Sequence, residues 1–290
     1  MNRINKAQVL LNLGFLAIFS IGIVDMPCAE NSIVPFNENF AFNLYGNFNS
    51  VEFTQKDDRQ YRSESPWSIG FGIRYKNSTG RLLLPLTPNN NSFNLQINSY
   101  YEKIYYELFF SQYKNFYSEE KGGKDTYSVS GFDILSAGIL AGWIQNNTRH
   151  SLKSVYNLIN RQTESSGSFL YGFGIFYTSI HAIEEERVNY SERQHLTYFG
   201  PAMGYSYTWV FNHDIFCNVN LTAGFNMGVN TDTTVLFVPQ IMPKLAIGHH
   251  NKVWSLNVIV GCTYTALFLN GSDFESLLSS TMTVTFSKRF

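Results

Sequence analysis

Histidines beside acidic residues are the first candidates for chemistry in this chain of 290 residues. His181 is followed by three glutamates at 184–186, and imidazole together with carboxylates can bind a divalent cation. A solvated acidic loop is the commoner explanation of such a charged run. His249 and His250 are adjacent, so on a strand their side chains would point to opposite faces, and we predict a polar turn there. We expect no metal and no cofactor at either place.

Hydrolysis is the second candidate chemistry, because the chain contains many serines and several histidines. A serine hydrolase needs a serine that is activated by a neighbouring base. The sequence has neither a Gly-x-Ser-x-Gly nucleophile elbow nor a His-Ser-Asn-Gly-like cluster. We therefore predict that the protein is not an enzyme, and a hydrolase is the least favoured alternative.

The first thirty residues have the layout of a secretory signal peptide. Two basic residues precede an apolar run from 9 to 24, and small residues follow it. We predict cleavage near Ala29, with residues 1–29 as the signal peptide and 30–290 as one mature domain. Lipidation of Cys28 is the alternative, although the three residues before it match a lipobox poorly.

The composition of the mature chain suits a membrane barrel. Aromatic residues make up 16% of the sequence and charged residues only 15%. Removing residues 1–29 takes away two of the 21 basic and one of the 22 acidic residues, which leaves 19 against 21 and a net charge of about −2. This balance gives no indication of nucleic-acid binding. The remaining cysteines, Cys217 and Cys262, lie in apolar strand registers and are expected to be free thiols.

Strict alternation of apolar and polar residues is the strongest structural signal. Between 215 and 229 the odd positions are apolar and the even ones are mainly asparagine, threonine and glycine. The segment 254–268 repeats this pattern. The last strand does so as well, and its apolar positions are Met282, Val284, Phe286 and Phe290. Long alternating strands are typical of transmembrane barrels, so we predict an all-β, antiparallel, up-and-down β-barrel in a bacterial outer membrane.

Alternating segments number about twelve, with ten to fourteen allowed, and an even number is the rule for single-chain bacterial barrels. The predicted strands are 39–48, 67–76, 92–101, 104–117, 132–145, 151–160, 168–179, 196–211, 214–229, 233–247, 253–268 and 278–290. Two of them are weak. The segment 151–160 alternates poorly, and Pro239 and Pro243 interrupt 233–247, where a paired strand should avoid proline.

The predicted strand order distributes the loops unevenly. If the last strand ends in the periplasm, the charged segments 55–66 and 181–195 are extracellular, as long loops of such barrels usually are. The same count places the long stretch 118–130 in the periplasm, against that rule. Short polar breaks at 146–148, 212–214 and 248–251 predict hairpin turns.

The inner face of the predicted barrel is rich in amides and hydroxyls. The candidate lumen-lining residues on two strands are Asn94, Gln96, Asn98, Asn218, Asn220 and Thr222. Such side chains can line a conducting pore or fill a closed interior with hydrogen bonds, and both alternatives stay open at this point. The bore of a twelve-stranded barrel lies between those of small filled barrels and of porins.

Three segments resemble an uncharacterised outer-membrane family known as domain of unknown function 4421. They are NLQINSYYEKIYYELFFSQYKNFY at 94–117, the signature Arg-Gln-x-x-Ser-small-Gly-Ser-Phe-Leu-x-Gly at 161–172, and the hairpin 199–228. Asn115 stands where the family pattern has glycine. The resemblance implies a barrel and no particular activity. The main signature residues are Arg161, Gln162, Ser165, Gly167 and Ser168, and we predict a tight turn at Gly167 that Arg161 anchors.

The sequence therefore predicts an outer-membrane barrel that passes or binds small solutes. A structural or adhesion barrel, with segment 181–195 as its partner-binding loop, is the alternative, and a barrel-embedded hydrolase is the third. The expected partners are outer-membrane lipids and the barrel-assembly machinery, which reads a terminal aromatic residue such as Phe290 after alternating apolar residues. Lys288 departs from that signal, although a lysine near the membrane interface can extend its amine to water.

Overall fold

The computed structural model describes residues 32–54, 60–63, 66–87, 92–119, 126–181, 194–212, 214–231, 233–269 and 273–290. The predicted signal peptide, with Cys28 and the cleavage position, lies outside the described residues. Most of the loop 181–195, with its three glutamates, lies outside them as well.

The described chain consists almost entirely of strands. They are β1 (Ile33–Pro35), β2 (Phe40–Thr54), β3 (Gln60–Ser63), β4 (Trp67–Tyr75), β5 (Ser78–Pro85), β6 (Phe93–Tyr100), β7 (Ile104–Glu119), β8 (Thr126–Ile144), β9 (Asn160–Gln162), β10 (Ser166–His181), β11 (Gln194–Phe211), β12 (Ile215–Asn230), β13 (Val235–His250), β14 (Trp254–Leu269) and β15 (Asp273–Arg289). A single wide helical turn, Lys153–Asn157, lies between β8 and β9. No helix in the described ranges is long and apolar enough to cross a membrane.

Thirteen of these strands form one antiparallel sheet that closes on itself. The closing pair is β15 with β2, which runs from Ser276 opposite Thr54 to Arg289 opposite Ala41. Strands β3 and β4 both pair with β2, one after the other, and together make one crossing of the wall. The thirteen strands therefore make twelve crossings, and the predicted twelve-stranded antiparallel barrel is confirmed.

The correct strand number conceals two errors in the predicted strands. Strand β5 was not predicted, because three consecutive leucines at 82–84 hide its alternation: Leu83 is buried in the lumen, whereas Leu82 and Leu84 are exposed outside. The strand predicted at 151–160 was wrong, since this segment contains the helical turn and only the first residue of β9. The poor alternation of 151–160 was the signal of that error.

Correcting both errors also corrects the loop assignment. Short connections of two or three residues, 76–77, 101–103, 212–214 and 251–253, all lie at one end, which is the periplasmic end by the usual rule. The connections 55–59, 120–125 and 182–193 join strand ends at the other, outer end. The predicted periplasmic position of 118–130 was wrong, because the missed strand reversed the direction of every strand between 92 and 145.

The prolines of β13 are accommodated within a continuous strand. Pro239 and Pro243 lie opposite Phe225 and Leu221 of β12. On the other side, pairing with β14 is absent at Pro243 and does not extend as far as Pro239. Because proline has no N–H to donate, both residues lie where the ladder to β14 has a gap.

Asn115 lies at a β-bulge, which explains the departure from the family pattern. Pairing of β7 with β8 shifts register between Lys114 and Phe116, and Asn115 has a φ of 59°. Glycine adopts this left-handed conformation without steric cost, and asparagine is among the residues that tolerate it best. Asparagine therefore substitutes for glycine here for a conformational reason.

The outer surface of the barrel is an apolar band. On β12 the residues from Ile215 to Val229 face outward at odd positions, while the asparagines and threonines between them are buried inside. Aromatic side chains form a girdle at the periplasmic end, and its exposed members include Phe40, Tyr75, Trp143, Phe211 and Phe290. An apolar band with aromatic girdles is the surface that lipid requires. The protein is an outer-membrane β-barrel.

The C-terminus lies in the seam that closes the barrel. The backbone N–H of Phe290 donates to the carbonyl of Phe40, and the two rings are 6.3 Å apart. The four residues of the predicted assembly signal, Met282, Val284, Phe286 and Phe290, all face outward. Cys217 and Cys262 are free and partly exposed.

Candidate functional site

The interior of the barrel has three layers, and the layer nearest the outer end is apolar. Phe132 stacks on Tyr61 at 4.8 Å and meets the edge of Phe116 at the same distance. Buried aliphatic residues from the other strands join this cluster, namely Ile134, Ile180, Leu196, Leu236, Val238, Leu267 and Leu277. The sequence predicted a mainly polar inner face, and at this level that prediction was wrong.

The middle layer is a chamber of mixed polarity, a cavity of about 250 Å³ that polar, aliphatic and aromatic side chains line together. Amide and hydroxyl side chains from opposite walls line it, among them Asn94, Gln96, Asn98, Ser111, Gln240 and Thr265. The Gln240 amide nitrogen donates to the hydroxyls of Tyr198 and Thr265, at 3.1 and 3.0 Å. Much of the lining is therefore held in place by hydrogen bonds between neighbouring strands.

Among the described residues that line this chamber, three are charged: Arg81 of β5, Glu107 of β7 and Lys244 of β13. The Lys244 amine lies 2.9 Å and 3.2 Å from the two carboxylate oxygens of Glu107, which also accepts a hydrogen bond from the Tyr100 hydroxyl. The Arg81 guanidinium donates to the side-chain oxygen of Gln96. One ion pair and one further cation therefore lie in the middle of the barrel.

The third layer is the inner segment, which we define as residues 145–165, the connection between β8 and β10. It folds into the lumen at the periplasmic end and bridges opposite walls. On one side the Asn157 amide donates to the carbonyls of Asn77 and Asn98, at 2.9 and 3.3 Å. On the other side the Asn257 amide donates to the carbonyl of Val155 at 2.8 Å. The segment therefore spans the bore.

Arg74 connects the inner segment to the wall and to the N-terminal residues. Its side chain is fully buried, and its guanidinium donates to the carbonyls of Leu158 at 2.8 Å and Glu38 at 3.3 Å. Leu158 has a φ of 56°, a strained conformation for a residue with a branched side chain. In addition β1 pairs with β9, so the N-terminal strand lies along the inner segment.

The family signature organises the junction between the inner segment and β10. The Gln162 amide nitrogen donates to the Ser166 hydroxyl and to the carbonyl of Glu164, and its oxygen accepts from the N–H of Ser151. The Ser165 hydroxyl accepts from the N–H of Val210 at 2.9 Å. These contacts tie the start of β10 to both the inner segment and β11.

The remaining signature residues complete this junction. Arg161 donates to the Asp214 carboxylate at 2.7 Å, and the Ser168 hydroxyl accepts from the N–H of Asn146. Gly167 lies within β10, so the predicted tight turn there was wrong. A Cβ at this position would overlap the hydroxyl oxygen of Tyr205, so the glycine is explained by the close approach of that side chain.

Burial controls the titration of the inner segment. Desolvation lowers the pKa of His150 to about 4, so this side chain is neutral at pH 7, and its Nδ1 donates to the carbonyl of Ser166 at 3.2 Å. Desolvation also lowers the pKa of the Lys153 amine. Desolvation and the nearby Glu107 carboxylate raise the pKa of Tyr156. Its hydroxyl stays protonated and donates to Asn218 at 3.2 Å.

The six candidate lumen residues separate into two groups. Asn94, Gln96 and Asn98 line the chamber. Asn218, Asn220 and Thr222 are buried inside the barrel on β12, and Asn218 is engaged by Ser206, Thr208 and Tyr156 at the level of the inner segment. The second group therefore supports the inner segment.

The histidine pair lies at the end of β13, so the predicted polar turn was wrong. His250 faces inward, is buried and stacks on Phe216 at 5.0 Å, whereas His249 faces the other side and contacts Trp254 at 5.3 Å. Among the described residues no group of three or more histidine, cysteine, aspartate or glutamate side chains is placed to hold a metal ion.

A separate pair of histidines lies near the outer end. His181 Nδ1 is 3.1 Å from the Asp133 carboxylate, and His195 Nδ1 is 2.6 Å from the Tyr177 hydroxyl. Across the described ranges, no serine hydroxyl is hydrogen-bonded to either imidazole. These contacts lack the activated serine that a serine hydrolase requires.

The chamber charges and the lumenal position of the inner segment were not predicted from the sequence. One signal could have found the charges, because Arg81, Glu107 and Lys244 occupy inward positions of alternating strands, where most residues are uncharged. The inner segment left a fainter signal: Leu152, Val155 and Leu158 recur every third residue, a helical rather than a strand spacing.

The barrel is similar to solved outer-membrane proteins at low identity. The outer membrane protease OmpT of Escherichia coli is 6% identical, with a TM-score of 0.39, over 88% of this chain and 98% of that one. The translocator domain of the autotransporter NalP of Neisseria meningitidis is 13% identical, with a TM-score of 0.46, over 98% and 96%. No curated protein matches the sequence. One family model matches residues 33–287, and the chain belongs to that family, domain of unknown function (DUF4421).

Proposed function

We propose that this protein is a gated barrel that admits small polar solutes to its central chamber. The observation that carries the proposal is the chamber itself, about 250 Å³ of space in which amides, hydroxyls and the charges of Arg81, Glu107 and Lys244 lie among apolar side chains. Small-ligand pockets measure about 300–1,000 Å³, and this chamber lies just below that range. A barrel with a purely structural role has no need of charged side chains around such a space, because burying charge costs free energy.

The inner segment is the proposed periplasmic gate. It is held by separate side-chain hydrogen bonds from Asn157, Asn257 and Arg74 and by the three-residue ladder of β1 with β9, not by the long ladders of the wall. A segment that lies outside the long backbone ladders can open while those ladders stay intact. Passage of a solute requires this segment to move while the barrel stays closed.

Planar-bilayer recording of the refolded protein tests the proposal. In the test variant a four-residue Gly-Ser linker replaces residues 149–163. This removes most of the gate and leaves the sequence of every wall strand unchanged. We expect rare openings from the natural chain and frequent, discrete, salt-dependent openings from the variant. A control variant with a shortened connection at 182–193 should behave like the natural chain. Silence at all voltages from a test variant that keeps the heat-modifiable migration of a folded barrel would exclude solute passage.

We propose that this role involves no catalysis. The Asp133–His181 pair is the place to test this, because a carboxylate next to an imidazole can activate water. The natural chain should not hydrolyse nitrophenyl esters or casein. Hydrolysis that disappears in His181→Ala would contradict the proposal.

We also propose that the barrel-assembly machinery recognises β15 through its outward residues and Phe290. These side chains line the closing seam, where the last strand must be delivered to β2. Phe290→Ser should lower the amount of barrel inserted in cells and leave unassisted refolding into detergent intact. Equal losses in both measurements would show that Phe290 acts only through stability.

A further inference from the structure

The charges of the chamber do not cancel. Lys244 and Glu107 neutralise each other as an ion pair. In the part of the chain that the structure describes, no carboxylate oxygen lies within 4.0 Å of the Arg81 guanidinium. The ring of Tyr45 lies 5.6 Å from this guanidinium, and Gln96 accepts one hydrogen bond from it. The groups in direct contact with this positive charge are therefore neutral.

Two buried polar atoms at this charge take part in no hydrogen bond among the described residues. Arg81 Nε and Asn94 Oδ1 are buried and have no hydrogen-bond partner among the described residues. The Asn94 side chain is 8% exposed, and its nitrogen is already engaged by Ser111 at 2.8 Å. Buried polar atoms of native proteins are nearly always paired, so this donor and this acceptor call for a further partner, which bound water or a ligand can supply.

The donor and the acceptor lie on one face of two neighbouring strands. Arg81 of β5 is opposite Gln96 of β6, and Asn94 is two residues before Gln96 on the same inward side. Side chains in this diagonal relation are about 7–8 Å apart between their backbones, within reach of one small molecule. The ligand must offer an acidic acceptor to Arg81 and a hydroxyl or amine donor to Asn94.

We propose that the chamber binds a small hydroxylated carboxylic acid, with its carboxylate on Arg81 and one hydroxyl donating to Asn94 Oδ1. This assignment rests on the proposed admission of solutes to the chamber and names their chemical class. A monoanion fits because a single cation is uncompensated, whereas a phosphate dianion would call for a second one. Guanidinium and carboxylate also match as a planar two-bond pair.

The size and the walls of the chamber agree with a six-carbon sugar acid. A cavity of about 150 Å³ already holds benzene, so about 250 Å³ accommodates a six-membered ring with its substituents. Polar side chains of its walls, among them Asn94, Gln96 and Gln240, can hydrogen-bond to the hydroxyls of such a ring.

Binding of three sugars to the refolded mature chain tests this inference. D-glucuronate, D-glucose and D-glucosamine share one ring and differ in charge, and saturation-transfer NMR in detergent measures each without any need for transport. We expect glucuronate to bind at least about tenfold more tightly than the other two, because charge-assisted hydrogen bonds are the strong ones. Equal affinity for glucuronate and glucose would overturn the inference.

Variants of Arg81 provide the second arm. Arg81→Gln should weaken glucuronate binding about ten- to a hundredfold, and Arg81→Lys should restore part of it. Arg62→Gln removes a positive charge from the outward face of β3 and should leave glucuronate binding unchanged. Unchanged glucuronate binding in Arg81→Gln would overturn the inference. If Arg81→Gln does not fold, the sugar comparison on the natural chain still decides.

The outcomes separate this inference from the proposed passage of solutes. If glucuronate binds but bilayer recordings show no openings, even from the variant with the shortened inner segment, the ligand site is supported and solute passage is excluded. Frequent openings of the shortened variant, without preference between anion and cation in the reversal potential and without glucuronate binding, would keep passage and exclude the ligand class.

Discussion

Replacing Arg74 with methionine should release the inner segment while leaving the barrel intact. Arg74 is a residue of the wall that holds this segment through the carbonyl of Leu158, at 2.8 Å. Methionine keeps most of the buried volume and removes the charge and the donors. The carbonyl of Leu158 then loses its charged donor, and Leu158 keeps its strained φ of 56°.

The magnitude follows from the lost contact. A hydrogen bond with a charged donor contributes about 1.5–3 kcal/mol, so the free energy of opening the segment should fall by about 2 kcal/mol. A change of about 1.4 kcal/mol is tenfold in a population, so opening should become about thirtyfold more frequent. Global stability need not fall, because removing a desolvated charge also removes a cost of burial.

Hydrogen exchange read by mass spectrometry measures this opening. Peptides from the inner segment should exchange about thirtyfold faster in Arg74→Met, while those from β12 and β14 should keep their protection. Arg62→Met, which removes a charge from the outer surface, is the matched control. Unchanged exchange of the inner segment, with the barrel folded, would refute the role of Arg74 as its anchor.

Three further predictions concern stability and pH. Burial lowers the pKa of His150 from 6.5 to about 4, so the unfolded segment binds a proton more tightly than the folded one. The stability that neutral His150 gives the folded segment is therefore complete above about pH 6.5 and is lost as pH falls toward 4. The protection factor of the inner segment, which corrects for the slower intrinsic exchange at low pH, should therefore fall as pH is lowered from 7 to 5 in the natural chain and much less in His150→Gln; equal pH responses would contradict this. Asn115→Val should destabilise the barrel by about 1–2 kcal/mol and Asn115→Gly should not, measured by guanidinium unfolding, because a β-branched residue resists positive φ; equal losses would dismiss the conformational explanation. Glu107→Gln should lower the free energy of unfolding by about 1–3 kcal/mol, and adding Lys244→Met should recover part of that loss. Additive losses in this double-mutant cycle would mean that the two side chains do not interact.

The alternation of β12, β14 and β15 predicted their faces correctly because alternation along a strand is a local property. One residue points to lipid and the next to the lumen, and each must suit its own solvent. Strand β5 escaped detection because Leu83, at an inward position, is apolar like its outward neighbours Leu82 and Leu84. At such positions both faces select the same residue type, and the pattern disappears.

The candidate site was predictable only in part. Asn94, Gln96 and Asn98 could be assigned to the inner face from alternation, and the structure places them around the chamber. Their partners could not be assigned, because Lys244 reaches Glu107 across 137 positions of sequence, from one wall to another. Which side chains face each other across a bore depends on closure of the whole barrel.

The sequence by itself determined the environment and the architecture: a lipid-facing apolar band and an even number of antiparallel strands. These depend on the periodicity and composition of each strand, which local chemistry imposes. Only the tertiary structure decided that the segment 145–165 folds into the lumen, that the outer layer of the interior is apolar, and that a charged chamber lies between them. Those features arise from contacts between strands that are far apart in the chain, and closing the barrel is what brings them together.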